Sequence, residues 1–514
     1  MPAGDPAEGG SGSFMRMPIV AISLPEYAGI VGKVMLAGPA CSASSGNCDR
    51  DSERWGCPLA EAAVIEHTYA YPFASALSVV RGRARLALAT SHAPAAERLF
   101  FAGRLLKPDI AAQLLLATSE VALRRYYIPP AMLARILRAA DPVVTAADGR
   151  LRLESFSQCC SVYARADLLP DMLAAETFGK GTTNVDFNPP MRAALTQVQK
   201  GESIDLTVTP ERVAVTSPRG TAVEHKVKLP VRWLKGFAEV QALAAGLEPA
   251  ATLQGPEARR FLSALPTQVK AKDRVWLLPV RGGFRLSQTA ANGAIASAGL
   301  GRLQAMRPLA RHAQAMHVYA SPSGTSAFEL DFGIARFMLM LSPAAARGFS
   351  GEGQLLATLG QRDVDAALAR VRGTLAWQSD LRGADLARRL NLPEAAVTAA
   401  LALLAAEGLV GFDPHQRSYF HRVLPFDLSR IEGRQPRLVA ARELLVAGAV
   451  TVKEVHNGRI EATVRSEDIA HRVRLDGEEF HCTCVWHART GGESGPCKHV
   501  LAVMIENNGG NARA

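Results

Sequence analysis

The sequence predicts a multidomain α+β protein, and three observations lead there. Its 514 residues exceed what one hydrophobic core organises, so several domains are expected. Strand-like alternation broken by short turns dominates residues 151–345. Near the C-terminus two pairs of soft donors recur at short spacing, Cys482-Thr483-Cys484 and Cys497-Lys498-His499.

Residues 1–29 read as a disordered N-terminus, the first sixteen being rich in Gly, Ala, Pro and Ser. The apolar stretch from Arg16 to Ala40 is interrupted by Pro25, Glu26 and Lys33, which argues against a secretory leader and for a cytoplasmic protein. Residues 30–150 form a mixed α/β region, with helices predicted over Asp109 to Leu123 and Pro130 to Ala140. Cys41, Cys48 and Cys57 lie in a Ser/Gly/Asp-rich stretch. Their loose spacing, with His67 as the nearest fourth donor, suits reduced thiols better than a second metal site.

Residues 151–345 read as an α+β domain with basic strand faces. Ile204 to Val208 and Val213 to Ser217 form one predicted hairpin, and Val275 to Val280 with Phe284 to Ser287 form another. Phe178-Gly179-Lys180-Gly181-Thr182-Thr183 resembles a phosphate loop only superficially, because Gly181 follows Lys180 where Ser or Thr is required. Cys159 and Cys160 are adjacent, so their side chains diverge. No spacing joins Cys160, Asp186 and His225 into a mechanism, and the chain is expected to be noncatalytic.

Over residues 353–425 helices are predicted at Asp363 to Val371, Arg382 to Leu390 and Glu394 to Glu407, then two strands around Asp413-Pro414. This order resembles winged helix-turn-helix modules, which implies DNA binding. The charges point elsewhere. The third helix contains no Arg, Lys, Asn or Gln with which to read a base edge, so protein docking or scaffolding is the expected role.

Residues 436–508 carry the four donors. Three strands, Val450 to Val455, Arg459 to Val464 and His471 to Leu475, precede them, with Asn457-Gly458 as a hairpin turn. Cys482 and Cys484, two apart at a strand end, share a face, and Cys497 and His499 open a helix after Pro496. Cys₃His is a standard closed tetrahedral set for one structural Zn²⁺. Val485 to Pro496 is expected as an exposed loop. His481 points opposite to Cys482 and His487 lies in that loop, so neither is a preferred ligand.

The order C-x-C-x(n)-C-x-H, carried by Cys482, Cys484, Cys497 and His499, resembles the SWIM zinc finger. The expected architecture is therefore a mixed N-terminal region, a winged helix-turn-helix and a C-terminal zinc-stapled ββα-like SWIM finger. The resemblance implies binding to DNA or proteins. It also resembles bacterial SWIM proteins encoded beside MoxR-type AAA+ ATPases and von Willebrand A-domain proteins, which implies a noncatalytic adaptor with those protein partners.

The alternative expectation is a DNA- or RNA-binding protein, and charge placement defines it. The net charge of +10 lies entirely upstream, since residues 380–514 hold 17 Lys/Arg and 17 Asp/Glu. Between Arg212 and Arg285 there are 13 basic and 5 acidic residues. Lys226, Lys228 and Arg232 are expected on one face of a strand, and Lys270, Lys272 and Arg274 on another. Such faces can track a phosphate backbone or be solvated outer faces of a half-buried sheet.

Overall fold

The computed structural model describes residues 76–80, 83–87, 98–126, 142–227, 229, 231–266, 274–344, 348–349, 365–424, 436–456, 459–476, 479–491 and 495–510. The expectations for residues 1–29, the Cys41, Cys48, Cys57 and His67 group, the helix at Pro130 to Ala140, and Lys228, Lys270 and Lys272 lie outside these. The chain divides into two units, Met1–Glu97 and Arg98–Ala514. In the first, β1 (Ala76–Val80) and β2 (Arg83–Ala87) pair as an antiparallel hairpin.

The second unit opens with β3 (Phe101–Leu105) and α1 (Pro108–Leu123). Pro108 suits a first helical position because its fixed φ is already helical and its missing N–H is not needed there. Ala111, Leu114, Leu115, Thr118, Val121 and Ala122 recur at helical spacing and are buried. Next come β4 (Val143–Ala147), β5 (Arg150–Phe156), β6 (Val162–Leu168), β7 (Leu173–Phe178) and β8 (Gly181–Asn184). Asp148 and Gly149 turn the β4–β5 hairpin with φ of 48° and 72°, the positive values a two-residue primed turn demands. Helix α2 (Pro189–Thr196) starts at Asn188, whose side chain accepts the Met191 N–H. A meander of β9 (Ile204–Val208), β10 (Arg212–Ser217) and β11 (Gly220–His225) follows.

After α3 (Val231–Ala245) a similar order recurs. It runs β12 (Glu248–Gln254), α4 (Gly255–Ala264), β13 (Arg274–Val280), β14 (Gly283–Ser287), β15 (Ile295–Ala298), a 3-10 turn, then β16 (Ala315–Ala320), β17 (Ser326–Asp331) and β18 (Ala335–Leu341). In each half the opening strand pairs antiparallel with the first strand of the closing meander, β3 with β9 and β12 with β16. The sheets are β11-β10-β9-β3-β7, β14-β13-β15, and an eight-stranded β12-β16-β17-β18-β6-β5-β4-β8 that joins the halves through β18 and β6. The boundary expected at residue 150 falls at the β4–β5 turn, and strands from both sides of it share both large sheets.

Two expected hairpins, β9–β10 and β13–β14, are present. The strand expected through Lys226 to Trp233 is corrected: β11 ends at His225, and α3 begins at Val231. Trp233, Phe237, Val240 and Ala244 are buried at helical spacing, and burying that stripe outweighs the period-two placement of cations before it.

The glycines of the rejected phosphate loop have a packing reason instead. A Cβ on Gly181 would lie 2.1 Å from the ring of Phe100, itself 6% exposed, and one on Gly179 would lie 2.4 Å from the Leu99 carbonyl oxygen. Gly181→Ala is expected to destabilise the fold by about 1–3 kcal/mol through overpacking. Urea unfolding checks this, and an unchanged midpoint would contradict it.

The helices and hairpin expected over residues 353–425 are α5 (Asp365–Arg372), α6 (Gly383–Leu390), α7 (Glu394–Ala406), β19 (Val410–Asp413) and β20 (Ser418–His421). Asn391, left-handed at φ 48°, ends α6. Helix α7 is apolar nearly all round because it is covered nearly all round, touching α3, α5, α6 and β19. The C-terminal part comprises α8 (Pro436–Val446), then the sheet β21 (Val450–His456), β22 (Arg459–Ser466), β23 (Ile469–Asp476) and β24 (Glu479–Cys482), then α9 (Val485–Thr490) and α10 (Lys498–Gly510).

Candidate metal centre

The hairpin β23–β24 sets the first donor, since Val473 and Cys482 are register partners at its open end. Alternation then puts Cys482 inward and His481 outward. Cys484 stands at the N-cap of α9 and its Sγ accepts the His487 N–H at 3.4 Å. The loop expected from Val485 thus begins as a short helix, because the thiol satisfies one of its first N–H groups. Cys497 lies just before α10 and accepts the Val500 N–H at 3.5 Å, while His499 sits in the first turn.

These four side chains converge. Cys482, Cys484, Cys497 and His499 are 1%, 5%, 2% and 4% exposed, and their ligand atoms lie within 4.8 Å of one another. Nδ1 of His499 is 3.7 Å from the Cys482 sulfur and 3.9 Å from that of Cys497. Donors about 2.0–2.3 Å from a tetrahedral ion stand roughly 3.4–3.8 Å apart, so a small contraction around one Zn²⁺ closes the set. Nε2 of His499 is buried with no hydrogen-bond partner among the described residues, and the His471 ring packs on the imidazole at 4.2 Å.

The electrostatics favour a cation. Hydrogen bonding from Cys482 holds the Cys497 thiol down to about 3 against its burial, with His499 and the Val500 N–H assisting. The same contact with Cys497 pushes Cys482 up, and burial adds to it, because two thiolates cannot stand side by side without a counter-ion. A divalent ion removes that conflict and lets all three thiols ionise. The three cysteines are part of a small core with Ile460, Ala462, Val464, Val473, Leu475, Val500 and Val503. The opposite side of α10, Leu501, Ala502 and Ile505, packs with Leu438 and Ala441 of α8, Ala406 of α7 and Ala238 of α3. His487 is buried on α9 beside His481, at 4.8 Å between rings, outside the four-donor group.

Of the candidate basic residues, Lys226, Arg232 and Arg274 are among the described ones, and they lie on different elements. Lys226 is exposed beyond the end of β11 and pairs with Glu211 at 3.3 Å. Arg232 is half-buried on α3, with Nε and Nη2 enclosed, and Arg274 is exposed at the start of β13 in a different sheet. Cys160 is buried at φ 53°, and burial pushes its thiol up to about 12. No hydrogen bond joins it to Asp186 or His225 among the described residues.

Sequence reasoning missed a buried ionic cluster between the eight-stranded sheet and the β19–β20 hairpin. Arg165 donates to Asp167 and Asp413, each at 2.8 Å, and lies 3.4 Å from Glu329. Arg336 reaches Asp413 at 3.2 Å, Arg152 pairs with Asp167, and Arg422 pairs with Glu154. His415, on the hairpin turn, meets Glu329 at 2.7 Å. In sequence these charges alternate with apolar residues, Arg152 and Glu154 with Leu151 and Leu153, and Arg165 and Asp167 with Ala164, Ala166 and Leu168, a pattern that reads as a solvated outer face.

The fold and the site define a mixed α+β chain of several antiparallel sheets with a buried Cys₃His group able to hold one metal ion. No protein-family model matches the chain, and no curated protein matches it. Among solved structures it has a partial likeness to proliferating cellular nuclear antigen from Entamoeba histolytica, at 10% identity and TM-score 0.31 over 48% of this chain and 99% of that one. Similar values hold for PCNA from A. fulgidus with the C-terminal region of FEN-1 bound (12%, 0.33, 47% and 97%) and for a PCNA2–PCNA3 complex from Sulfolobus tokodaii (10%, 0.34, 48% and 99%). Likenesses this slight carry no argument about fold or activity.

Proposed function

We propose that this chain is a noncatalytic adaptor whose zinc-stapled SWIM finger presents a surface to protein partners, and whose winged helix is a scaffold. One observation carries the reading. Of the α7 side chains, the positions a DNA-reading helix would offer, only Glu394, Ala395 and Thr398 are exposed. The strands β19 and β20 of the wing are buried throughout. A closed Cys₃His set holds structure and leaves no position for a substrate. The finger meanwhile turns outward β21, an edge strand exposed along nearly its whole length, together with Val485 and Trp486. Exposed edges and apolar side chains suit addition of a partner segment.

The resemblance to bacterial SWIM proteins supplies the partner class, a MoxR-type AAA+ ATPase and a von Willebrand A-domain protein. Titrating purified proteins of those classes from the same host against the full chain tests it. Binding is expected and is expected to weaken on Trp486→Asp. No binding to either, combined with DNA or RNA binding that falls steeply with salt, would instead support the nucleic-acid reading through Lys226, Lys228, Arg232, Lys270, Lys272 and Arg274.

A further inference from the structure

A cleft of about 470 Å³ opens between the β4–β5 turn, the β7–β8 turn and the segment that precedes α6. Its lining includes Asp148, Phe178, Lys180, Trp377 and Gln378. None of these belongs to the metal centre.

Three features distinguish it from a packing defect. Trp377 has a φ of 66°, a left-handed backbone that bulky residues avoid, and such outliers gather at binding sites. Its backbone N–H donates to Nδ1 of His421 at 2.7 Å, and the His421 ring backs the indole at 4.9 Å between centroids and 30° between planes. Burial, helped by the nearby Lys180 ammonium, pushes His421 down to about 4, so a neutral ring supports the indole at pH 7. Lys180 is exposed and has no ion pair among the described residues. Asp148 is fixed by accepting the Ser379 hydroxyl at 2.6 Å and its N–H at 3.3 Å, both on Oδ2, which leaves Oδ1 as an acceptor. The Gln378 amide is already used, accepting from the Ala376 N–H and donating to the Thr374 carbonyl.

A half-exposed aromatic plane, a cation and a fixed carboxylate oxygen around one cleft match a planar ring bearing N–H donors and an anionic tail. We propose that this cleft binds a nucleotide unit, its base stacked on Trp377, its N–H edge on Asp148 and its phosphate on Lys180. The cleft's volume is within the range of small-ligand sites. The proposal is independent of the adaptor reading and of zinc.

Calorimetric titration of the full chain with GMP, guanosine and inorganic phosphate tests it. GMP is expected to bind, with guanosine weaker by about tenfold and phosphate weaker still. Lys180→Ala is expected to bring GMP down to the guanosine level. Trp377→Asn is expected to cost on the order of tenfold, the scale of one stacking contact, while leaving the melting temperature unchanged or raised, since Asn tolerates a left-handed backbone. A trinucleotide GpGpG that binds more tightly than GMP would identify a single strand as the source, and equal binding would identify a free nucleotide. No GMP binding at about 10 mM, or wild-type affinity in both variants, would overturn the proposal.

Discussion

Removing zinc from this protein is expected to release the last 70 or so residues from their fold while leaving the large sheets standing. The C-terminal core is small, and three of its buried members are the thiols themselves. Without the metal, Cys482, Cys484 and Cys497 are ionisable groups crowded in an apolar interior, and His499 loses the charge it was placed to meet. Structural zinc in small domains supplies about 10–16 kcal/mol of apparent binding free energy at neutral pH, which is also folding free energy. Cys482→Ser or His499→Ala is therefore expected to abolish stable folding of residues 436–508. Amide hydrogen exchange before and after chelation checks this. Protection should vanish over β22, β23 and α10 and persist over β5, β6 and β18. Uniform retention of protection in α10 would contradict the assignment. A smaller effect should reach α3 and α7, because Leu501, Ala502 and Ile505 rest near Ala238 and Ala406.

The second large effect is expected at Asp413. Its carboxylate is fully buried and faces Arg165 at 2.8 Å, Arg336 at 3.2 Å and Arg152 at 3.6 Å. Asp413→Ala leaves Arg165, also fully buried, short of its counter-ion, and breaking a buried pair in this way costs about 3–5 kcal/mol. Chemical denaturation measures the loss, and a change below about 1 kcal/mol would show that the cluster is not a fastening. Burial alone would push the Asp413 carboxyl up, but Arg165, Arg336 and Arg152 outweigh it and hold it well below the usual carboxylate range. Its folded pKa is depressed, so its contribution is present above the unfolded value of about 3.9 and is lost as pH falls below that. Asp413→Asn should accordingly lose stability near neutral pH and show a shallower acid-induced decline below about pH 4 than the unsubstituted chain.

Local chemistry was the part legible in the sequence. The four donors were readable because metal geometry fixes spacing, and the β9–β10 and β13–β14 hairpins because turn residues and alternation act over a few positions. Helix α1 and the helices over residues 365–406 followed from apolar spacing. What sequence could not supply was the long-range pairing. The joining of β6 to β18, which builds the eight-stranded sheet, connects residues more than 160 positions apart, and no local propensity records it. The strand expected at Lys226 to Trp233 failed for a related reason. Alternating cations suggested period two, whereas Trp233 and Phe237 were already spaced for a helix against the sheet. The ionic cluster was hidden because Arg165 and Asp413 meet only through that tertiary arrangement, and a charge in a strand reads as solvent-facing until both faces are known to be covered. The short helix at Val485 was missed because its cap is the Cys484 sulfur, outside the usual capping residues.

Metal analysis of the purified full chain tests the account most directly. One zinc per chain, lost in Cys482→Ser with the His481 and His487 variants unaffected, is the predicted result. Well under one zinc per chain from protein purified without chelator, or full occupancy retained in Cys482→Ser, would contradict it.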